Sequence, residues 1–187
     1  MYEGIVLAGG FSSRFNTNKM CAVFKGKALI LHTIKTMLEV CEEVFVVTGY
    51  YHDEISTLLS NMNKVKIIYN ENYDLGMFSS VKAGVCHVNH NFFIIPGDYP
   101  LVDLTTYYNL IKGNKRIRVP SFDKHLGHPI YFDYSMSKEI LNTDKDNLKD
   151  FRNQYDFEII DVNDRYILLD IDKVEDFKKI DIGRIDN

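Results

Sequence analysis

The sequence has 187 residues, a formal net charge of −4, 45% apolar residues and 26% charged residues. That length suits one domain, 1–187, with a sizeable core, and the acidic balance argues against a general nucleic-acid binder, which carries a basic surface. No apolar run approaches the roughly 18 residues of a membrane span, and no basic region precedes the first apolar run, so no signal peptide is read and a cytoplasmic protein is expected.

Strand-like and helix-like segments alternate from the start. EGIVLA (3–8) reads as a strand and ALILHTIKTMLEV (28–40) as an amphipathic helix. EVFVVTG (43–49) is a β-branched run, HDEISTLLSNM (52–62) a helix, VKIIYN (65–70) a strand and MFSSVKAGVCHV (77–88) a helix. NFFIIPGDYP (91–100) is an apolar strand stopped by Pro96, Gly97 and Pro100, and DLTTYYNLI (103–111) is a helix with Asp103 as its N-cap. This order predicts an α/β fold with a mostly parallel sheet and helices on both faces. After about residue 113 the pattern changes. RIRVPSFDKHLGHPIYF reads as two short strands around a turn, YSMSKEIL and NLKDFRNQY as short helices, FEIIDV and YILLDID as strands, and VEDFKKI (174–180) as a closing helix. The second half should add a small antiparallel extension to the sheet. Cys21, Cys41 and Cys86 are scattered without a C-x-x-C pair, so neither zinc nor a disulfide framework is indicated.

Ligands of open α/β sheets sit beyond the carboxyl ends of the strands. GGFSSR, NENYDLGMFSS and GDYP each follow an apolar strand, so all three should gather on one edge, and DID can join them. In LAGGFSSRFNTNK, Gly9 and Gly10 allow backbone N–H groups close to phosphate oxygens. Ser12 and Ser13 add hydroxyls, and Arg14 and Lys19 supply cations for a triphosphate. The loop is neither G-x-x-x-x-G-K-[ST] nor G-x-G-x-x-G; the competing reading is a solvated strand-to-helix turn. Gly76 precedes a helix whose first turn holds Ser79 and Ser80, and such an N-terminus can read a base edge, a ribose or a phosphate, or be capped by serine. Asp98 ends a buried strand and would hold Mg²⁺ near phosphates, or simply make an Asx turn. Asp170 and Asp172 share one side of an extended strand. Asp172 is favoured as N-cap of the last helix, with Glu175 as its capping-box partner, which leaves Asp170 as the metal candidate. His128 before a proline can donate to a substrate, though a lone histidine is more often structural.

LAGGFSSRFNTNK, GMFSSVKAGV, IIPGDYPLV, GHPIYF and LLDIDKVEDF occur in the order seen in the MobA-like nucleotidyltransferases, and over residues 4 to about 180 the sequence resembles the molybdenum cofactor cytidylyltransferases (MocA-type) among them. The resemblance implies a three-layer, Rossmann-like nucleotidyltransferase (nucleotide-diphospho-sugar transferase) fold. It implies Mg²⁺-dependent transfer of a nucleoside monophosphate, CMP from CTP, to a phosphorylated acceptor, molybdopterin, with release of pyrophosphate. Leu7, Ala8, Gly9, Gly10, Ser12, Ser13, Gly76 and Ser80 would then contact the nucleotide. Arg14 and Lys19 would bind phosphates, Asp98 and Asp170 the metal, and His128 would face the acceptor. A molybdoenzyme or its chaperone is a further partner to consider. Phe15, Asn16, Phe78, Tyr99 and Lys173–Val174 depart from the family pattern. They leave the phosphate and metal positions intact and fall on the acceptor and the base. Two rivals stay open: the same chemistry with GTP or with a sugar or alcohol phosphate, and a non-catalytic chaperone that holds the cofactor.

Overall fold

The computed structural model describes residues 1–12, 15 and 17–172. Ser13, Arg14, Asn16 and the expected helix 174–180 lie outside them. β1 (Tyr2–Ala8) runs into the glycine loop and a 3-10 turn at Lys19–Cys21. A small hairpin follows, β2 (Val23–Phe24) and β3 (Lys27–Ala28). Then come α1 (Leu29–Leu38), β4 (Glu43–Thr48), α2 (His52–Leu59), β5 (Val65–Tyr69), a 3-10 turn at Tyr73–Leu75, α3 (Met77–Val85), β6 (Asn91–Pro96) and α4 (Leu104–Lys112). The second half supplies β7 (Ile117–Phe122), β8 (His125–Leu126), β9 (Ile130–Phe132), α5 (Met136–Asn142), α6 (Leu148–Arg152) and β10 (Glu158–Asp161). As the sequence predicts, Asp103 caps α4, its carboxylate accepting from the Thr105 N–H at 2.8 Å.

The main sheet runs β10-β7-β9-β6-β1-β4-β5, with β8 folded onto β7. β4 and β6 flank β1 in parallel, β5 continues beside β4, and β10 lies parallel to β7. β9 is reversed and pairs antiparallel with both β6 and β7. The antiparallel extension of the sequence reading is therefore a reversed strand inserted between parallel ones, plus the β7–β8 hairpin.

Period-two alternation explains the layers. Along β1, Val6 and Ala8 face one core, which α1, α2 and α4 close with Ile34, Ile55 and Leu110. Ile5 and Leu7 face the other, which α3, α5 and α6 close with Val81, Ile140 and Phe151. Phe93 and Phe92 on β6 divide the same way. Each large side chain so buried contributes about 1.5–3 kcal/mol. Gly84 lets α3 lie close on the sheet, because a Cβ there would stand 2.6 Å from Ile5 Cγ2 and 3.0 Å from Val47 Cγ2. That approach carries the amino end of α3 to the carboxyl ends of β1 and β4.

One expected strand is absent. Arg165–Leu168, which takes in the YIL of YILLDID, forms a 3-10 turn. Asp164 starts it by accepting from the Tyr166 N–H at 3.0 Å, and this capping outweighs the strand propensity of the following apolar residues. The chain then continues to Asp172, tied to the turn after β6 by a hydrogen bond from the Ile171 N–H to the Asp98 carbonyl, 3.0 Å.

Candidate active site

The glycine loop leaves β1 beside the end of β6, where the Gly97 N–H donates to the Leu7 carbonyl at 2.9 Å. Ser12 takes a left-handed conformation, φ 49°, and closes a turn in which its carbonyl accepts from the Phe15 N–H at 2.8 Å. Its hydroxyl accepts from the Lys19 N–H at 3.2 Å. Phe15 is buried with Phe24, Leu29 and Ile171, which pins the loop to the start of α1 and to the segment carrying Asp170 and Asp172. Asn18 caps the Lys19–Cys21 turn through the Met20 N–H and donates to Glu54 on α2 at 3.1 Å. Lys19 thus rises from a backbone held on two sides.

The second wall begins at Gly76, whose φ of 98° starts α3 in a conformation that a side chain resists. Behind it, buried Asn70 donates from one amide nitrogen to Ser79 Oγ (2.8 Å) and Ser80 Oγ (3.0 Å). Its carbonyl oxygen accepts from the Asn72 N–H at 3.0 Å, which fixes which way the amide points. With Asn70 donating to it, Ser80 Oγ keeps its own proton to offer to the pocket. Gly9 must be small here, since a Cβ would lie 2.9 Å from Ser80 Oγ. Tyr73 wedges over Gly49, where a Cβ would meet the Tyr73 Cβ at 2.5 Å. Its ring contacts Phe11 edge-on at 5.5 Å.

The third wall is acidic. One carboxylate oxygen from each of Asp98, Asp170 and Asp172 lies within 4.8 Å of the others. Lys19 Nζ donates to Asp98 Oδ2 at 2.6 Å and to Asp172 Oδ1 at 3.1 Å. Burial works to discharge the ammonium, but Asp98 and then Asp172 override it and hold its pKa above the ordinary value. Asp170 has a raised pKa, first from burial and then from the Asp172 and Asp98 charges. Tyr99 is pushed up by burial and the same three carboxylates, so its phenol stays a donor. Asp98 Oδ1 is buried with no hydrogen-bond partner among the described residues. An orphaned carboxylate oxygen, with two more carboxylates in reach, fits a hard divalent cation such as Mg²⁺.

These walls enclose a pocket of about 350 Å³. Leu7, Gly9, Gly10, Ser12, Lys19, Gly76, Ser80 and Asp98 line it, as do Phe11, Tyr73, Met77 and Asp172, which sequence reasoning did not single out or gave another role. Asp170 joins through the carboxylate cluster. Ala8 is buried and not among the lining residues, and Ser13 and Arg14 lie outside the described residues. The sequence pattern favours Asp172 as a helix cap, and the structure places it in the pocket lining. Its i, i+2 relation to Asp170 was the signal for a shared role, and the helix it would cap lies outside the described residues. Lys19, read as a phosphate ligand, is paired here with carboxylates. The Tyr73 wedge has no sequence signal, because it depends on Gly9 and Gly49, which follow β1 and β4 far apart in the chain.

His128 sits outside the pocket lining. Its ring meets Tyr99 edge-on at 5.0 Å, and its Nδ1 is buried without a hydrogen-bond partner among the described residues. Burial lowers its pKa from 6.5 to about 4, helped by Arg152 and opposed by a backbone contact to Ile94. As pH falls from 6.5 towards 4, the unfolded chain takes up a proton that the folded chain refuses, so stability is lost across that window. His128→Asn should remove about 2 kcal/mol of the stability loss between pH 7 and pH 4.5. Urea unfolding at both pH values measures this, and an identical pH dependence in wild type and variant would refute the assignment.

Residues 4–158 match the MobA-like NTP transferase domain family. The chain is 28% identical over 176 residues to the molybdenum cofactor cytidylyltransferase of Escherichia coli (strain K12), covering 92% of each protein. It is 33% identical over 107 residues to a probable molybdenum cofactor guanylyltransferase of Bacillus cereus (strain AH820), covering 54% of this chain and 50% of that protein. Among solved structures, a nucleotidyl transferase from Methanothermobacter thermautotroptrophicus superposes with a TM-score of 0.84 at 20% identity, over 100% of this chain and 99% of that one, which shows the shared fold.

Proposed function

Since the chain belongs to the MobA-like NTP transferase family, we propose that it transfers CMP from CTP to the terminal phosphate of molybdopterin and releases pyrophosphate. The observation that carries the reading is the meeting of the glycine loop, the amino end of α3 and the Lys19–Asp98–Asp172 cluster around one pocket. Likeness to the Escherichia coli cytidylyltransferase over nearly the full length of both proteins supports CTP and a molybdopterin acceptor.

In the proposed reaction an acceptor phosphate oxygen attacks the α-phosphorus, the bond to the β-phosphate breaks, and pyrophosphate leaves with the electron pair. The attacking oxygen is already anionic, so no protein base is required, and the chain supplies position and charge. Gly9 and Gly10 bring backbone N–H groups to the phosphates. Ser80, oriented by Asn70, offers its hydroxyl to the base or ribose. Lys19 neutralises charge on the leaving pyrophosphate. Asp98, Asp170 and Asp172 would hold Mg²⁺, which would supply positive charge against the phosphate oxygens. Tyr99 and His128 shape the side on which the acceptor enters.

The test is pyrophosphate release with Mg²⁺ and molybdopterin, run with CTP, GTP, UTP and ATP. CTP-dependent release is expected, and release only with another acceptor would refute molybdopterin. The 33% identity to guanylyltransferases favours GTP as the second reading, and a GTP-only signal would establish it.

A further inference from the structure

We infer that Lys19 occupies the cation position of the acidic cluster until a nucleotide arrives, so that the metal and the nucleotide enter as a coupled pair. The inference rests on the proposed metal site and adds an order of events to it.

Lys19 Nζ bridges Asp98 and Asp172 at 2.6 and 3.1 Å. These are two of the three carboxylates that a divalent ion would need. One ammonium already offsets part of their mutual repulsion and occupies Asp98 Oδ2 and Asp172 Oδ1, so a metal entering alone either shares the cluster with a cation or displaces it. Lys19 is largely buried, and its backbone is fixed by Ser12 and by the Asn18 cap anchored to Glu54. A displaced ammonium would keep its desolvation and lose both partners, which is unfavourable. A triphosphate on the same loop removes that penalty, because it gives the ammonium new anionic oxygens as the metal takes the carboxylates. Ser12, whose hydroxyl holds the Lys19 N–H, and Gly9 and Gly10 line the same pocket. The metal should therefore bind the nucleotide-free chain weakly and the nucleotide-loaded chain tightly. The lysine works against the metal in one state and beside it in the other.

Mn²⁺ titration followed by electron paramagnetic resonance reads this without turnover. Lys19→Gln should raise Mn²⁺ affinity of the nucleotide-free protein by roughly tenfold, and Asp98→Asn should abolish binding. An α,β-methylene analogue of CTP or GTP should tighten Mn²⁺ in wild type and roughly tenfold less in Lys19→Gln. Lys19→Met, checked by thermal unfolding, repeats the measurement without an amide. Lys115→Gln, whose ammonium pairs with Asp156, controls for net charge. Unchanged or weaker nucleotide-free binding in both folded Lys19 variants overturns the inference, and so does an equal gain in Lys115→Gln. If the nucleotide assignment alone is wrong, the nucleotide-free arm still decides.

Discussion

Asp98→Asn should lower pyrophosphate release by about a thousandfold while the chain stays folded. The carboxylate lies in the turn just after β6, with one oxygen paired to Lys19 at 2.6 Å and the other buried without a partner among the described residues. Asparagine keeps the shape and loses the charge, so the cluster gives up its most buried anion. Asp172 stays 3.1 Å from Lys19, so the ammonium keeps one anionic partner and the fold is not left with an uncompensated buried charge. A pyrophosphate assay together with a thermal melt separates loss of chemistry from loss of fold. Wild-type turnover in a folded Asp98→Asn protein would remove Asp98 from the mechanism.

Gly127→Ala should cost about 3 kcal/mol of stability and also impair the site. A Cβ at 127 would stand 2.3 Å from the Ile167 carbonyl oxygen and 2.7 Å from its carbon. Those are backbone atoms, and the same carbonyl accepts from the His128 N–H at 3.0 Å, so no side-chain rotation relieves the contact. Ile167 is fully buried, and pushing it moves the segment that carries Asp170 and Asp172 past Asp98. Denaturant unfolding should show the stability loss, and nucleotide-loaded Mn²⁺ binding should weaken in parallel. A change within about 0.5 kcal/mol, the range of ordinary surface substitutions, would mean that the loop yields freely.

The parallel half of the molecule was legible in the sequence because β1, β4 and β6 are buried on both faces. Such strands are continuous apolar runs with turn residues at their ends. The segments after them had to share an edge, and the loops at 9–12, 73–80 and 98 do line one pocket. Strand order was not legible, since nothing local in PIYF says that β9 lies reversed between β6 and β7. YILL misled for a local reason: only Ile167 of these residues is fully buried, and Leu168 is 36% exposed. The Asp164 cap, a signal present in the sequence, decides the outcome there. The pairing of Lys19 with Asp98 and Asp172 joins three distant parts of the chain, and no pattern of nearby residues encodes it.

The reversed direction of β9 has a consequence for how such a molecule can diversify. A strand parallel to β6 would begin at the far edge of the sheet. β9 instead begins at the edge where β6 ends, with Ile130 beside Ile94. The 123–129 hairpin tip and His128 therefore reach Tyr99 without passing through the 9–20 loop or the start of α3. This stretch supplies no residue to the pocket lining, and it meets the segment carrying Asp170 and Asp172 through Gly127 and His128 against Ile167. The exposed tip at 123–125 can therefore vary without disturbing the pocket, whereas Gly127, packed on the Ile167 backbone, cannot, so tolerance to sequence change divides within one short hairpin.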